Sequence, residues 1–436
     1  MSRLRTPWID PVSVHPKHFV NRTKDRARLR SLLDDRILYK IRNALVLIGG
    51  ERGIGKSIFA RTVLAEVAEG RPDDVITVVV PARMKSLINI MREYAKLLVK
   101  AARALAPQRA WAPSWESQWF GPLQELAVNE QISRQVSTSS GREVGADGEL
   151  SGGLFTVLQG KSGFQWTERR EQGQVTDCTL VVTPSLLADA INAVLGELSE
   201  HITVLVFFDD LDQAVGMDTA ERAKDIFDLM LGLGPAIHLI HLRSEVKFPD
   251  VRRENDDSLT LGPLNAAELN EVLRRRAEFT LEDDRRLVHS TAGWEPLRRL
   301  CASTGNPLVL LRWAKSLAER AEHWPPTEDW MKPEELRGLA LSAACMEELD
   351  DDDVHRLGRA LDRIGRDGLF TEAELRAGRR SIDTGPSEPL AEAFIAQLRH
   401  HELILPVDRF DSSRGLRVDP MISLVRPSCA VKIKAI

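Results

Sequence analysis

A chain of 436 residues is long enough for two or three domains, each with a core of its own. Its apolar share of 43% and charged share of 28% are those of a soluble globular protein. A formal net charge of −5 argues against a protein that coats nucleic acid over its whole surface, and it leaves room for a local basic face. No apolar run reaches the roughly 18 residues that span a bilayer, and Met1-Ser-Arg-Leu-Arg-Thr-Pro7 has no apolar signal region. The four cysteines, Cys178, Cys301, Cys345 and Cys429, lie far apart without metal-type spacing, so they read as reduced, buried thiols of a cytoplasmic protein.

The first segment, to about Arg42, is basic, with Arg22, Lys24, Arg26, Arg28 and Arg30 in one short span. Phe19-Val20-Asn21-Arg22 and Asp25 lead into the helical run Leu29-Arg-Ser-Leu-Leu33. The basic run reads as a solvated helix face, with a nucleic-acid contact as the alternative. Ala44-Leu-Val-Leu-Ile48 reads as a buried strand. It enters Gly50-Glu51-Arg52-Gly53-Ile54-Gly55-Lys56-Ser57, which matches the phosphate-binding pattern of Gly, four residues, then Gly-Lys-Ser. A helix is predicted from about Lys56, since apolar residues recur at helical spacing to Ala68. Gly50, Gly53 and Gly55 let the backbone approach phosphate oxygens, and the new helix turns its positive end to the anion. Lys56 is expected to reach the β- and γ-phosphates, and the Ser57 hydroxyl to ligand Mg²⁺. This is the pattern of a nucleotide site.

Val75 to Val80, ending at Pro81, reads as a strand buried on both faces, and Leu87 through Leu105 as a long helix. Glycines punctuate residues 131–177, where runs such as Leu154-Phe-Thr-Val-Leu158 and Gly163-Phe-Gln-Trp166 suggest a β-hairpin insertion or a mobile loop. A helix is predicted from Thr183-Pro-Ser to Glu200. After it, Ile202-Thr-Val-Leu-Val-Phe-Phe208 runs into Asp209-Asp210-Leu211-Asp212. This is a Walker B pattern, an apolar strand that delivers carboxylates to the crevice at its carboxyl end. Asp209 is the expected Mg²⁺ anchor opposite Ser57, and Asp210 the residue that polarises the attacking water. Asp212 reads as either cap or site. Ile237-His-Leu-Ile-His-Leu242 is a further strand with Arg243 at its tip; His238 and His241, three apart, face opposite sides of it.

Asn265, with Glu268 three residues on, has the capping-box spacing ahead of a helix through Leu273. Thr304-Gly305-Asn306-Pro307-Leu308 precedes a second helical pattern, Val309 to Ala321, with Arg312 one turn in. Past Trp324-Pro-Pro-Thr, two helical runs (Thr371–Leu375 and Pro389–Leu398) are followed by an apparent hairpin of His401–Val407 and Leu416–Val418. That order is a winged-helix pattern. Its supposed recognition helix offers Glu392, Gln397, Arg399 and His400, and the segment holds more acidic than basic residues, which favours a protein-facing wing over a DNA-facing one.

In this order the motifs resemble those of the AAA+ and STAND ATPases, over nearly the whole chain. The resemblance implies an α/β fold, a P-loop NTPase parallel sheet with helices on both faces, followed by a helical lid and a winged-helix domain. The implied division is 1–42 (basic segment and adenine-side box), 43–260 (core with the insertion), 261–325 (lid) and 326–436 (winged helix). It places Phe19, Val20 and Pro307 around the adenine, gives Arg243 the role of sensing the γ-phosphate, and names ATP and Mg²⁺ as cofactors. Asn21 stands where the family has Gly, and Leu308 where AAA+ initiators have a second sensor Arg. Asp210 stands where many AAA+ members have Glu, which implies slow or partner-stimulated hydrolysis. The function implied is an ATP-hydrolysing switch that controls a partner protein, in bacterial defence or regulation, within a homo-oligomer or hetero-complex. The alternative is an origin-recognition-like or transposition-type ATPase that assembles on DNA. A small-molecule kinase is the weakest reading.

Overall fold

The computed structural model describes residues 19, 22–105, 112–137, 153–159, 166–170, 175–215, 217, 220–243, 256–278, 305–312, 369–371, 404–406 and 416–418. In chain order, helix α1 (Thr23–Leu38) precedes strand β1 (Ala44–Gly50), α2 (Lys56–Gly70), β2 (Val75–Pro81) and α3 (Leu87–Leu105). Then come α4 (Ala112–Trp115), a π-helical turn (Glu116–Phe120) and α5 (Gly121–Val128). The inserted segment holds β3 (Gln131–Ser137), α6 (Gly153–Gln159), β4 (Trp166–Arg170) and β5 (Val175–Val181). The chain returns through α7 (Pro184–Ser199), β6 (Thr203–Asp209), α8 (Ala220–Gly232), β7 (Ile237–Arg243), β8 (Asp257–Thr260) and α9 (Ala266–Glu278). Three short strands follow, β9 (Leu369–Phe370), β10 (Ile404–Pro406) and β11 (Leu416–Val418).

Five strands form one sheet in the order β2-β6-β7-β1-β8, and every pairing in it is parallel. A parallel sheet is covered on both faces, so its strands are apolar throughout. Side chains alternate between two cores. Val46 and Ile48 of β1 and Leu205 and Phe207 of β6 face α1 and α2, among Leu29, Leu33, Phe59, Val63 and Leu64. Leu45 and Leu47, with Val204, Val206 and Phe208, face the opposite way, toward Tyr94 and Leu98 of α3 and Ile191 and Leu195 of α7. Burying one such Leu, Ile or Phe contributes about 1.5–3 kcal/mol before ordering costs are counted. The result is the expected α/β sheet of P-loop type, with β1 and β6 held in parallel through β7, which lies between them.

The helix ends follow local chemistry. Thr183 caps α7, its hydroxyl accepting from the Leu186 N–H at 3.2 Å. Asn265 and Glu268 close the expected capping box at α9: the Asn265 N–H donates to Glu268 Oε2 at 2.8 Å, and the Glu268 N–H to Asn265 Oδ1 at 3.0 Å.

In the inserted segment, β3, β5 and β4 form an antiparallel sheet with β5 in the middle. Leu154–Leu158, read from the sequence as part of a hairpin, is instead within α6. Leu154 and Leu158 stand one helical turn apart, and both are fully buried in the core that holds Trp119. Helical spacing and the waiting core outweigh the local strand pattern. Ile404–Pro406 pairs antiparallel with Leu416–Val418, the strands expected of the wing, and β9 adds a third strand. The helices expected of the winged helix, and residues 313–368, lie outside the described residues.

Candidate nucleotide site

The site lies at the carboxyl ends of β1, β6 and β7, where a parallel sheet presents its loop ends. The loop after β1 runs through Gly50 (φ +147°), Gly53 (φ +79°) and Gly55 (φ +95°) into α2. At Gly53 a side chain is excluded twice. The backbone is left-handed, and an added Cβ would stand 2.5 Å from Leu308 Cβ and 2.7 Å from Asn306 Oδ1. Lys56 is buried, and its Nζ donates to the carbonyls of Gly50 and Glu51, both at 2.8 Å. The ammonium is thus drawn back over its own loop, and an anion would replace carbonyls as its partner. Ile54 is buried beneath the loop.

The hydroxyl of Ser57 donates to Asp209 Oδ1 at 2.7 Å. The other oxygen of Asp209 accepts from Arg61 Nη2 at 2.7 Å, so α2 grips the β6 carboxylate from two positions. His241 stands between the two aspartates of the strand tip. Its Nδ1 lies 3.4 Å from both Ser57 Oγ and Asp209 Oδ1, and its Nε2 is 2.7 Å from the Asp210 amide nitrogen and 3.1 Å from Asp210 Oδ1. Asp210 adopts the left-handed conformation (φ +57°) and accepts from Gln213 Nε2 at 3.0 Å. Burial pushes the Asp210 carboxyl up, while the nearby guanidinium groups of Arg83 and Arg243 pull it down.

Asp212 is fully buried and lies 3.2 Å from Arg243 Nε. Burial raises its carboxyl above the ordinary value, although His241, Arg243 and Lys56 pull the other way. Of the two readings of Asp212, the geometry favours neither a solvent cap nor a ligand in the cavity. It is the buried counter-charge that holds Arg243, whose guanidinium lines the cavity instead of leaving for solvent.

The cavity has a volume of about 320 Å³. Phe19, packed against Phe59 with ring centres 5.9 Å apart, lines it together with Pro307. Val20 lies outside the described residues. Seven cationic side chains line it, Arg22, Arg52, Lys56, Arg83, Arg243, Arg276 and Arg312, against the two carboxylates Asp209 and Asp210. Such an excess suits a polyanion. Three donors, Asp209, Asp210 and His241, stand within 4.8 Å of one another. The oxygens of Ser57 and Asp209 are the hard donors that Mg²⁺ takes when it keeps several waters and shares phosphate oxygens, so the residues fit this ion.

No family model matches the sequence, and no curated protein matches it. Among solved structures, the chain is similar to the Aeropyrum pernix ORC2 protein in ADPNP and ADP complexes, with 15% identity, 97% of this chain and 98% of that one covered, and a TM-score of 0.44. It is also similar to the Aeropyrum pernix ORC1 protein in complex with DNA, with 14% identity, 99% and 100% covered, and a TM-score of 0.41. Drosophila ORC bound to DNA is a third, with 12% identity, 99% and 92% covered, and a TM-score of 0.39.

Sequence reasoning missed several residues of the site. Arg22, placed by the sequence on a solvated or nucleic-acid-facing helix, is only 8% exposed. Its Nη2 donates to the carbonyls of Ile54 at 3.0 Å and Gly262 at 2.8 Å, which ties the phosphate loop to the start of α9. Burial lowers its guanidinium from the ordinary value. Among the neighbours of Arg22, Arg26 pairs with Glu66, Arg30 with Asp34, and Arg36 with Asp257. Arg61 and Gln213 carried no sequence signal. His241 did: two residues before Arg243 on a strand, it has to share that residue's face. His238 lies on the other face, stacked on Phe208.

Proposed function

We propose that this protein is a Mg²⁺-dependent ATPase that works as a nucleotide-controlled switch. One observation carries the reading: Lys56, Ser57 and Asp209, from two separate strand ends, meet at the floor of one cation-lined cavity. Lys56 and the amides of Gly53 to Ser57 bind the β- and γ-phosphates, Phe19 and Pro307 flank the base, and Arg243 faces the γ-phosphate. Ser57 and Asp209 would hold Mg²⁺, which supplies charge neutralisation on the phosphate oxygens. Asp210, ionised at neutral pH, orients the attacking water by accepting its hydrogen bond.

The phosphate loop is fastened to the segment that follows the first lid helix. Asn306 Nδ2 donates to the Arg52 carbonyl at 2.7 Å, and the Leu308 N–H to the Gly53 carbonyl at 3.3 Å. Nucleotide that rearranges the loop therefore displaces residues 306–308, and through them any partner seated on the lid. Calorimetry with ATP and magnesium tests the proposal, and the absence of heat on binding would overturn it.

The origin-recognition-like alternative, assembly on DNA, has its own observation. The α1 run keeps Lys24, Arg26, Arg28 and Arg30 exposed, although Arg26 and Arg30 pair with Glu66 and Asp34 and Arg22 is buried. Salt-dependent DNA binding that persists when Arg26 and Arg30 are neutralised would favour DNA assembly through another surface. No binding at low salt would favour the protein-partner reading.

A further inference from the structure

Both ring nitrogens of His241 are turned to the strand tip, and the hydrogen-bond geometry fixes the part each plays. Nε2 lies 2.7 Å from the amide nitrogen of Asp210 and 3.1 Å from Asp210 Oδ1. One nitrogen cannot serve both. If it carried a proton for the carboxylate, that N–H would face the amide N–H head-on at the shorter distance. The amide hydrogen is fixed by the peptide plane, so Nε2 accepts it and the ring proton sits on Nδ1. Nδ1 in turn lies 3.4 Å from both Asp209 Oδ1 and Ser57 Oγ.

We infer that His241 is the positioning residue of the strand tip, with a separate task at each nitrogen. At Nε2 it satisfies the first amide beyond the end of β6 and so holds Asp210 in its left-handed conformation. An Asp tolerates this conformation but does not prefer it. The direction of the Asp210 carboxylate follows from it. At Nδ1 the ring presents N–H to the Asp209–Ser57 pair and aligns the oxygens offered to the metal. The ring is 2% exposed and wedged edge-on against Phe207 with centres 5.6 Å apart, so it cannot swing away. The inference rests on the ATPase reading and adds to it how the two adjacent aspartates are kept in different roles.

Two substitutions separate the tasks. His241→Asn places an amide near the Nδ1 position and loses the acceptor for Asp210. His241→Gln places one near Nε2 and loses the donor toward Asp209. Steady-state ATP turnover is measured beside the Mn²⁺ affinity of the ADP complex, read by electron paramagnetic resonance. The expected pattern crosses: the Asn variant loses about tenfold more kcat than the Gln variant, and the Gln variant loses about fivefold more Mn²⁺ affinity than the Asn variant. A merely structural ring would lower both readouts together in both variants, and that result overturns the inference. In the unmodified protein, nitrogen-15 spectra of labelled histidine should show the Nδ1–H tautomer for His241, and an Nε2–H tautomer also overturns it, whatever the stability of the variants. A wild type that binds no ATP overturns the ATPase reading and this inference together. A wild type that turns ATP over while the variants fall alike overturns this inference alone.

Discussion

Ser57 Oγ and Asp209 Oδ1 are joined by a 2.7 Å hydrogen bond across 152 positions of sequence. One is the last residue of the phosphate loop and the other the last of β6, and β7 separates their strands in the sheet. Parallel register fixes the distance between the two strand ends, so a divalent ion would find its two protein oxygens already adjacent.

Replacing Lys56 by Ala removes the ammonium from the cavity floor. ATP affinity should fall by about 1.5–3 kcal/mol, roughly ten- to 150-fold, with the fold intact. Calorimetry measures the affinity and circular dichroism checks the fold.

Asp210→Asn keeps the volume and the oxygen that accepts from Gln213 and removes the charge. Nucleotide affinity should stay within about threefold while turnover drops about a hundredfold or more. Equal turnover in single-turnover assays would refute the role given to this carboxylate.

Gly53→Ala forces a Cβ to within 2.5 Å of Leu308 and 2.7 Å of Asn306. The loop has to part from residues 306–308, at the loss of two hydrogen bonds worth about 0.5–1.5 kcal/mol each. A lower thermal midpoint, and hydrogen exchange that rises together in residues 50–55 and 305–312, are the expected readouts.

Asp212 gives a pH test. Burial holds its carboxyl above the ordinary value in the folded state, so the folded chain keeps this proton at pH values where the unfolded chain has lost it. Its contribution to stability is complete below the unfolded value and is lost as pH rises through the folded one. Asp212→Asn has no such loss. In urea titrations the variant should gain on the wild type as pH rises from the carboxylate range toward neutrality, and a pH-independent difference would contradict the assignment.

Sequence by itself determined the elements whose signal is local. Apolar runs at Ala44 and Ile202 specify buried strands, Gly50 to Ser57 specify a turn that only glycines permit, and Asn265 with Glu268 specify a helix start. The alternation of β7 even placed His241 on the face of Arg243. What the tertiary structure alone decided depends on partners far along the chain. Arg22 reads as a surface cation until the carbonyls of Ile54 and Gly262 are brought to it, and Asp212 reads as either cap or site until Arg243 is buried beside it. Leu154 and Leu158 become helical because a core holding Trp119 receives them. Burial and charge pairing are properties of what surrounds a residue, and no window of sequence contains those surroundings.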